Sequence, residues 1–86
     1  MTEKIAVIIG AGPGLGLSLG KVFGKNGFTP VLVSRSEEKL GKLVSDLKEL
    51  GIDAFTETAD ASDTASLKKA MASIKAAHGA PTVMIY

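Results

Sequence analysis

The chain has 86 residues, of which 45% are apolar and 22% charged. This length allows one small domain, and the composition argues against disorder. Ten basic residues against nine acidic ones exclude a basic nucleic-acid-binding surface. The lack of cysteine excludes disulfide frameworks and thiol nucleophiles, and the single histidine, His78, excludes a histidine-based metal site. We expect a cytoplasmic protein.

An uncharged stretch at residues 5–20 is the one segment that resembles a signal peptide or membrane segment. It is shorter than the roughly 20 apolar residues that a membrane-spanning helix needs. Glycines and a proline interrupt it at Gly10, Gly12, Pro13, Gly14 and Gly16. We therefore expect this stretch to belong to a soluble domain with no membrane association.

The first half of the chain predicts two strands around one helix. Lys4–Ile9 is a nearly continuous apolar run, typical of a strand buried on both faces. After a glycine-rich turn, a helix is predicted from about Gly14 to Asn26, with Gly27 as its left-handed C-terminal residue. Thr29–Ser34 is the second predicted strand. The apolar stripe of the helix consists of Leu15, Leu19, Val22 and Phe23.

The second half predicts two further helix–strand pairs. Ser36 is an N-cap residue for a helix that ends at Gly51, and Ile52–Ala59 follows as a weaker strand. Asp63 or Ser62 caps a third helix, which Gly79 and Pro81 end, and Thr82–Tyr86 is the fourth strand. The expected buried stripes are Leu40, Leu43, Val44, Leu47 and Leu50 in the second helix, and Leu67, Ala70, Met71, Ile74 and Ala77 in the third.

The order β-α-β-α-β-α-β predicts an α/β fold with a Rossmann-like, doubly wound parallel sheet. The expected strand order is 3-2-1-4, so residues 1–86 form a partial sheet that stops after strand four. That strand is apolar and would lie at an open edge, which favours a homo-oligomer.

The segment between the first strand and the first helix is a candidate phosphate-binding loop. Glycines there permit a tight turn and a close approach of the backbone to a pyrophosphate, and the helix N-terminus offers free N–H groups. Gly16, Gly20 and Gly24 are also expected to bring the helix close to the sheet. The candidate loop residues are Gly10, Gly12, Pro13, Gly14, Leu15 and Gly16.

Three nucleotide motifs compete for this loop. A P-loop fails, because Leu15 and Val22 occupy its first glycine position and its hydroxyl position. Gly10 and Gly12 fit the start of Gly-x-Gly-x-x-Gly, as in flavoproteins, but Leu15 takes the third glycine position. The pattern Gly-x-x-x-Gly-x-Gly is matched completely by Gly10, Gly14 and Gly16.

With this third pattern the chain resembles the N-terminal third of the short-chain dehydrogenase/reductase family. The resemblance implies that Ser34, Arg35 and Ser36 select the cofactor after strand two. It also implies that Asp60 and Ala61 lie beside the adenine after strand three. Many members have Thr where this chain has Ile9. The implied activity is hydride transfer between NADP(H) and a carbonyl or alcohol substrate.

Arg35 indicates NADP rather than NAD. An NAD site usually has an acid about 20 residues after the loop, and here Ser34 ends the strand instead. A guanidinium can hold a 2′-phosphate through two charge-assisted hydrogen bonds. A solvated surface charge is the alternative for Arg35, and a turn or capping role is the alternative for Asp60.

No catalytic residue is assigned in this chain. The family's Asn-Ala-Gly segment, catalytic Ser and Tyr-x-x-x-Lys pair have no counterpart in the sequence, and Tyr86 is interpreted as a strand residue. His78 is interpreted as a C-terminal helix residue favourable to the helix dipole. Two functions stay open: the cofactor-binding part of an oxidoreductase, or a stand-alone dinucleotide-binding module without catalysis.

Overall fold

The computed structural model describes residues 4–10, 13–60, 62–79 and 81–85. They form a four-stranded parallel sheet in the order β3-β2-β1-β4, with a helix in each crossover, as predicted. The elements in chain order are β1 (Ile5–Ile9), α1 (Pro13–Lys25), β2 (Thr29–Ser34), α2 (Glu37–Glu49), β3 (Phe55–Thr58), α3 (Thr64–His78) and β4 (Val83–Ile85).

The sheet separates two apolar layers, because side chains alternate between its faces along each strand. One layer packs β1 and β2 against α3, whose Ala70 and Ile74 are buried. The other layer packs Ile8 and Leu32 against α2 and, at its margin, α1. Every residue of β1 is buried, which explains why its sequence is a continuous apolar run rather than an alternating one.

The helix ends follow the predicted capping residues. Ser36 caps α2 by accepting a hydrogen bond from the Lys39 N–H, and Asp63 rather than Ser62 caps α3. Gly27, Gly51 and Gly79 have positive φ, which a glycine adopts without steric penalty after a helix.

Gly20 and Gly24 were predicted to bring α1 close to the sheet, and this prediction was wrong about the element that α1 approaches. A Cβ at Gly20 would lie 2.8 Å from Leu47 Cδ1, and one at Gly24 would lie 2.5 Å from Ile52 Cγ2. These glycines therefore let α1 approach α2 and the segment before β3, not the sheet. A larger side chain would separate the two helices on this face.

Other differences lie at the ends of elements. β3 is limited to Phe55–Thr58, because only part of the weakly apolar stretch 52–59 pairs with β2. Val22 and Leu50, both predicted to be buried, are 56% and 49% exposed, and Ala77 is exposed as well. β4 spans Val83–Ile85, and Tyr86 lies outside the described residues. None of the described helices is long and apolar enough to cross a membrane.

Candidate cofactor site

The carboxyl ends of β1, β2 and β3 meet at one edge of the sheet, which we call the carboxyl edge. Ile9 pairs with Val33 and Ser34 pairs with Thr58, so the three strands end side by side. The Gly10 N–H donates to the Val33 carbonyl at 2.8 Å, just beyond the end of β1. The segments that follow these strands carry Gly10, Arg35 and Asp60, and the fold brings these three predicted residues to the same edge.

Gly10 and Gly14, the described glycines on either side of the loop, have open space beside them. Gly10 has φ +75°, and apart from adjacent residues and the backbone of α1, no atom of the described residues lies within 4 Å of a Cβ built at Gly10 or Gly14. Gly14 is exposed in the first turn of α1, where backbone N–H groups lack partners in the helix. Unlike Gly20, Gly14 therefore has no packing partner in another element among the described residues, and a helix N-terminus is a place where a phosphate group can approach the backbone.

The described part of the chain contains some of the predicted loop residues. Gly12 and Ala61 lie outside the described residues, and so do the side chains of Pro13 and Leu15. Gly16 is buried within α1, consistent with a position where the helix needs a small residue.

The turn between β2 and α2 is shaped by its two serines. The Ser36 N–H donates to Ser34 Oγ at 3.4 Å, and the Lys39 N–H donates to Ser36 Oγ at 3.3 Å. Both hydroxyls accept here, so each can still donate its own proton to a ligand. Arg35 lies between them, at the carboxyl edge, and is exposed.

Asp60 is held in the turn between β3 and α3. Its Oδ1 accepts hydrogen bonds from the Ser62 hydroxyl at 2.6 Å and from the Ser62 N–H at 3.0 Å. The Ser62 hydroxyl is the main cause of a pKa below 3.8, the ordinary value for aspartate. The Ser62 N–H lowers the pKa of Asp60 further and Arg35 adds a smaller effect, while desolvation opposes them. Asp60 therefore has the turn role that the sequence analysis gave as an alternative. Its carboxylate is ionised at neutral pH.

Two features of this edge were missed by sequence reasoning. Ser62 and Ser66 both bond to Asp60, and the spacing of a serine two residues after an aspartate is a recognisable turn signal. A groove of about 510 Å³ also runs between α1 and α2 and reaches Gly14, with Lys39, Lys42 and Asp46 among its lining residues. From the sequence, Lys39 is only a polar residue of the second predicted helix, because the sequence does not show that α1 packs beside it.

His78 lies away from this edge. It ends α3, and its ring packs against Phe55, the first residue of β3, with centroids 4.5 Å apart. The prediction of a C-terminal helix residue is thus confirmed. The described part of the chain contains no group of three residues arranged to hold a metal ion.

Comparison with known proteins connects this geometry to a family. The family model described as short chain dehydrogenase matches residues 4–86. Oxidoreductase UcpA of Salmonella typhimurium is 32% identical over 85 residues, which cover 99% of this chain and 32% of that protein. The chain thus spans about a third of the length of the curated relatives it matches.

Solved structures show the same fold. Actinorhodin polyketide ketoreductase with NADPH superimposes with a TM-score of 0.85 at 25% identity, covering 98% of this chain and 33% of that one. A metagenomic short-chain oxidoreductase in complex with NADP has a TM-score of 0.83 at 26% identity, covering 98% and 38%. The parallel sheet and crossovers described above are therefore those of this family.

Proposed function

The chain belongs to the short-chain dehydrogenase family, and we propose that its carboxyl edge binds NADP(H) for an oxidoreductase acting on a carbonyl or alcohol substrate. The observation that carries this proposal is the convergence of three features at one edge. These features are the open space beside Gly10 and Gly14, the exposed Arg35 and the ionised Asp60.

Each feature suits one part of the dinucleotide. The N-terminal turn of α1 offers N–H donors and a positive dipole end to the pyrophosphate. Arg35 suits the 2′-phosphate, and Asp60 suits the exocyclic amine of the adenine because an ionised carboxylate only accepts hydrogen bonds. Ser34 and Ser36 can add hydroxyl donors near Arg35. The binding roles of all these residues, and those of Gly12, Pro13, Leu15, Gly16 and Ala61, are predictions.

The preference for NADP over NAD rests on the end of β2. Ser34 stands where an NAD site usually has an acid that accepts from the ribose 2′-hydroxyl. Glu37 and Glu38 follow nearby, but they lie in the first turn of α2, where their charges favour the helix dipole. Two structural relatives contain NADPH or NADP, which supports the same choice.

When bound, the nicotinamide would supply or accept the hydride. The described residues at the carboxyl edge hold and orient the cofactor, and none of them is a tyrosine or histidine suited to proton transfer. We therefore propose binding, not proton donation, as the contribution of this part of the molecule.

The affinities for NADPH and NADH, measured by calorimetry, test the proposal. We expect the parent chain to prefer NADPH and Arg35→Ala to lose about 2–3 kcal/mol of NADPH binding, the value of hydrogen bonds to a charged group. NADH binding should change little. The matched control is Lys25→Ala, which removes a cation at the far end of α1. Equal affinities for the two cofactors in the parent chain would contradict the proposed preference.

A further inference from the structure

Ser62 is the residue that fixes the Asp60 carboxylate. We propose that Ser62 is a positioning residue for the adenine end of the site, which clamps Oδ1 of Asp60 and leaves Oδ2 to accept from the ligand. This inference rests on the proposed function, because it assumes that an adenine amine meets Asp60.

The clamp consists of two hydrogen bonds from a single residue. The Ser62 hydroxyl and N–H reach the same oxygen, at 2.6 and 3.0 Å. Two donors on one oxygen restrict rotation of the carboxyl group, since rotation would break both bonds. A carboxylate accepts about four hydrogen bonds, and Oδ2 receives none from the described residues. One oxygen is thus committed to the turn and the other has capacity for an N–H donor.

The backbone around Asp60 is anchored as well. The Asp60 N–H donates to Ser66 Oγ at 3.1 Å, which links the turn to the first part of α3. On the other side, the Ala59 N–H donates to the Ser34 carbonyl at 3.0 Å. The main chain is therefore tied to α3 and to β2, and the remaining freedom of Asp60 is that of its side chain. Ser62 removes this freedom.

The charges near the carboxylate favour its ionised form. Arg35 lies on the neighbouring turn and lowers the pKa of Asp60. Asp63, the other charged group of this turn, directs its Oδ1 to the N–H groups of Ala65 and Ser66 at the start of α3. The contribution that we assign to Ser62 is therefore the orientation of the Asp60 carboxylate, whose charge at neutral pH does not depend on it.

The test compares NADPH with reduced nicotinamide hypoxanthine dinucleotide phosphate, in which a carbonyl oxygen replaces the adenine amine. Calorimetry measures both affinities for the parent chain and for Ser62→Ala, Ser62→Thr and Ser45→Ala. We expect Ser62→Ala to weaken NADPH binding about three- to tenfold, the value of about one hydrogen bond, and to leave the hypoxanthine analogue nearly unchanged. Ser62→Thr keeps a hydroxyl and should restore NADPH binding, and Ser45→Ala, exposed on α2, should change neither.

A carbon-13 NMR titration of the Asp60 carboxyl gives the second readout. Its pKa should rise in Ser62→Ala and return in Ser62→Thr. Unchanged NADPH affinity in Ser62→Ala, or an equal loss for both cofactors, would overturn the positioning role. If the parent chain itself fails to bind NADPH, the proposed function fails instead, so the two failures are distinguishable.

Discussion

Asp60 both stabilises a turn of the fold and lies in the candidate site. Its Oδ1 closes the turn with Ser62, and its charge faces the same edge as the guanidinium of Arg35. In the proposed site the two side chains would offer opposite charges to different parts of one ligand, a phosphate for Arg35 and an amine for Asp60. The Asp60 carboxylate is held by its own turn through Ser62, whereas Arg35 is exposed on the turn after β2.

The lowered pKa of Asp60 predicts a pH-dependent contribution to stability. The pKa of Asp60 is lower in the folded chain than its ordinary value of 3.8 in the unfolded chain. The ionised carboxylate therefore stabilises the folded chain at pH values above 3.8, and this stabilisation is lost as the pH falls through the folded-state pKa. Asp60→Asn should therefore lower Tm slightly at pH 6, and the difference from the parent should vanish below that window. Thermal unfolding by circular dichroism measures this. Asp53→Asn, exposed before β3, is the control, and a difference independent of pH would contradict the explanation.

At the scale of elements, the packing of α1 on α2 depends on glycine. Leu47 is fully buried, and its Cδ1 occupies the space that a Cβ at Gly20 would need. Ile52 does the same at Gly24. These contacts set the distance between the helices, and through it the position of the α1 N-terminus at the carboxyl edge.

Gly20→Ala and Gly41→Ala should have opposite effects on stability. Gly41 is exposed on α2 with no atom of the described residues within 4 Å of its Cβ, so alanine should stabilise by about 0.5–1 kcal/mol through helix propensity. At Gly20 the new methyl group meets Leu47, and overpacking of about 1–3 kcal/mol should exceed that gain. Urea unfolding measures both. Equal stabilisation of the two variants would show that the Leu47 side chain moves away from the new methyl group without loss of stability.

Strong local sequence signals made the helices and strands predictable, whereas the contacts between these elements could not be predicted from the sequence. The continuous apolar run of β1 and the capping residues Ser36 and Asp63 act through neighbours in sequence, so their structures follow from it. The partners of Gly20 and the exposure of Val22 depend on how α1 is rotated against α2, which spacing alone does not determine. Arg35 and Asp60 were predictable because parallel strands end at a common edge.

At the scale of the whole molecule, the two edges of the sheet differ from its centre. β1 and β2 are buried, while Met84 in β4 is 51% exposed and Phe55 in β3 is 43% exposed. Each edge strand pairs on one side within the described sheet. An exposed edge with apolar side chains favours pairing with another chain, and we propose self-association through β4 on this basis.

Met84→Lys should reduce self-association of the chain. A lysine on an edge strand opposes pairing because an associating chain would cover part of its charged side chain and displace water from it. Sedimentation velocity should show more monomer for Met84→Lys than for the parent. Leu50→Lys places the same charge at an exposed apolar position at the end of α2, away from β4, and should leave the distribution unchanged. A monomeric parent chain would contradict association through β4.

If the space beside Gly14 receives the phosphates of a dinucleotide, a branched side chain there must weaken binding, and a pair of glycine-to-valine variants measures this effect. Gly14 and Gly41 both lie in helices, are exposed and have open space at Cβ among the described residues. NADPH affinity is measured by calorimetry for Gly14→Val, Gly41→Val and the parent, after circular dichroism confirms that each is folded. We predict that Gly14→Val weakens binding at least tenfold, about 1.4 kcal/mol, while Gly41→Val binds like the parent. A folded Gly14→Val variant with the affinity of the parent would contradict the account.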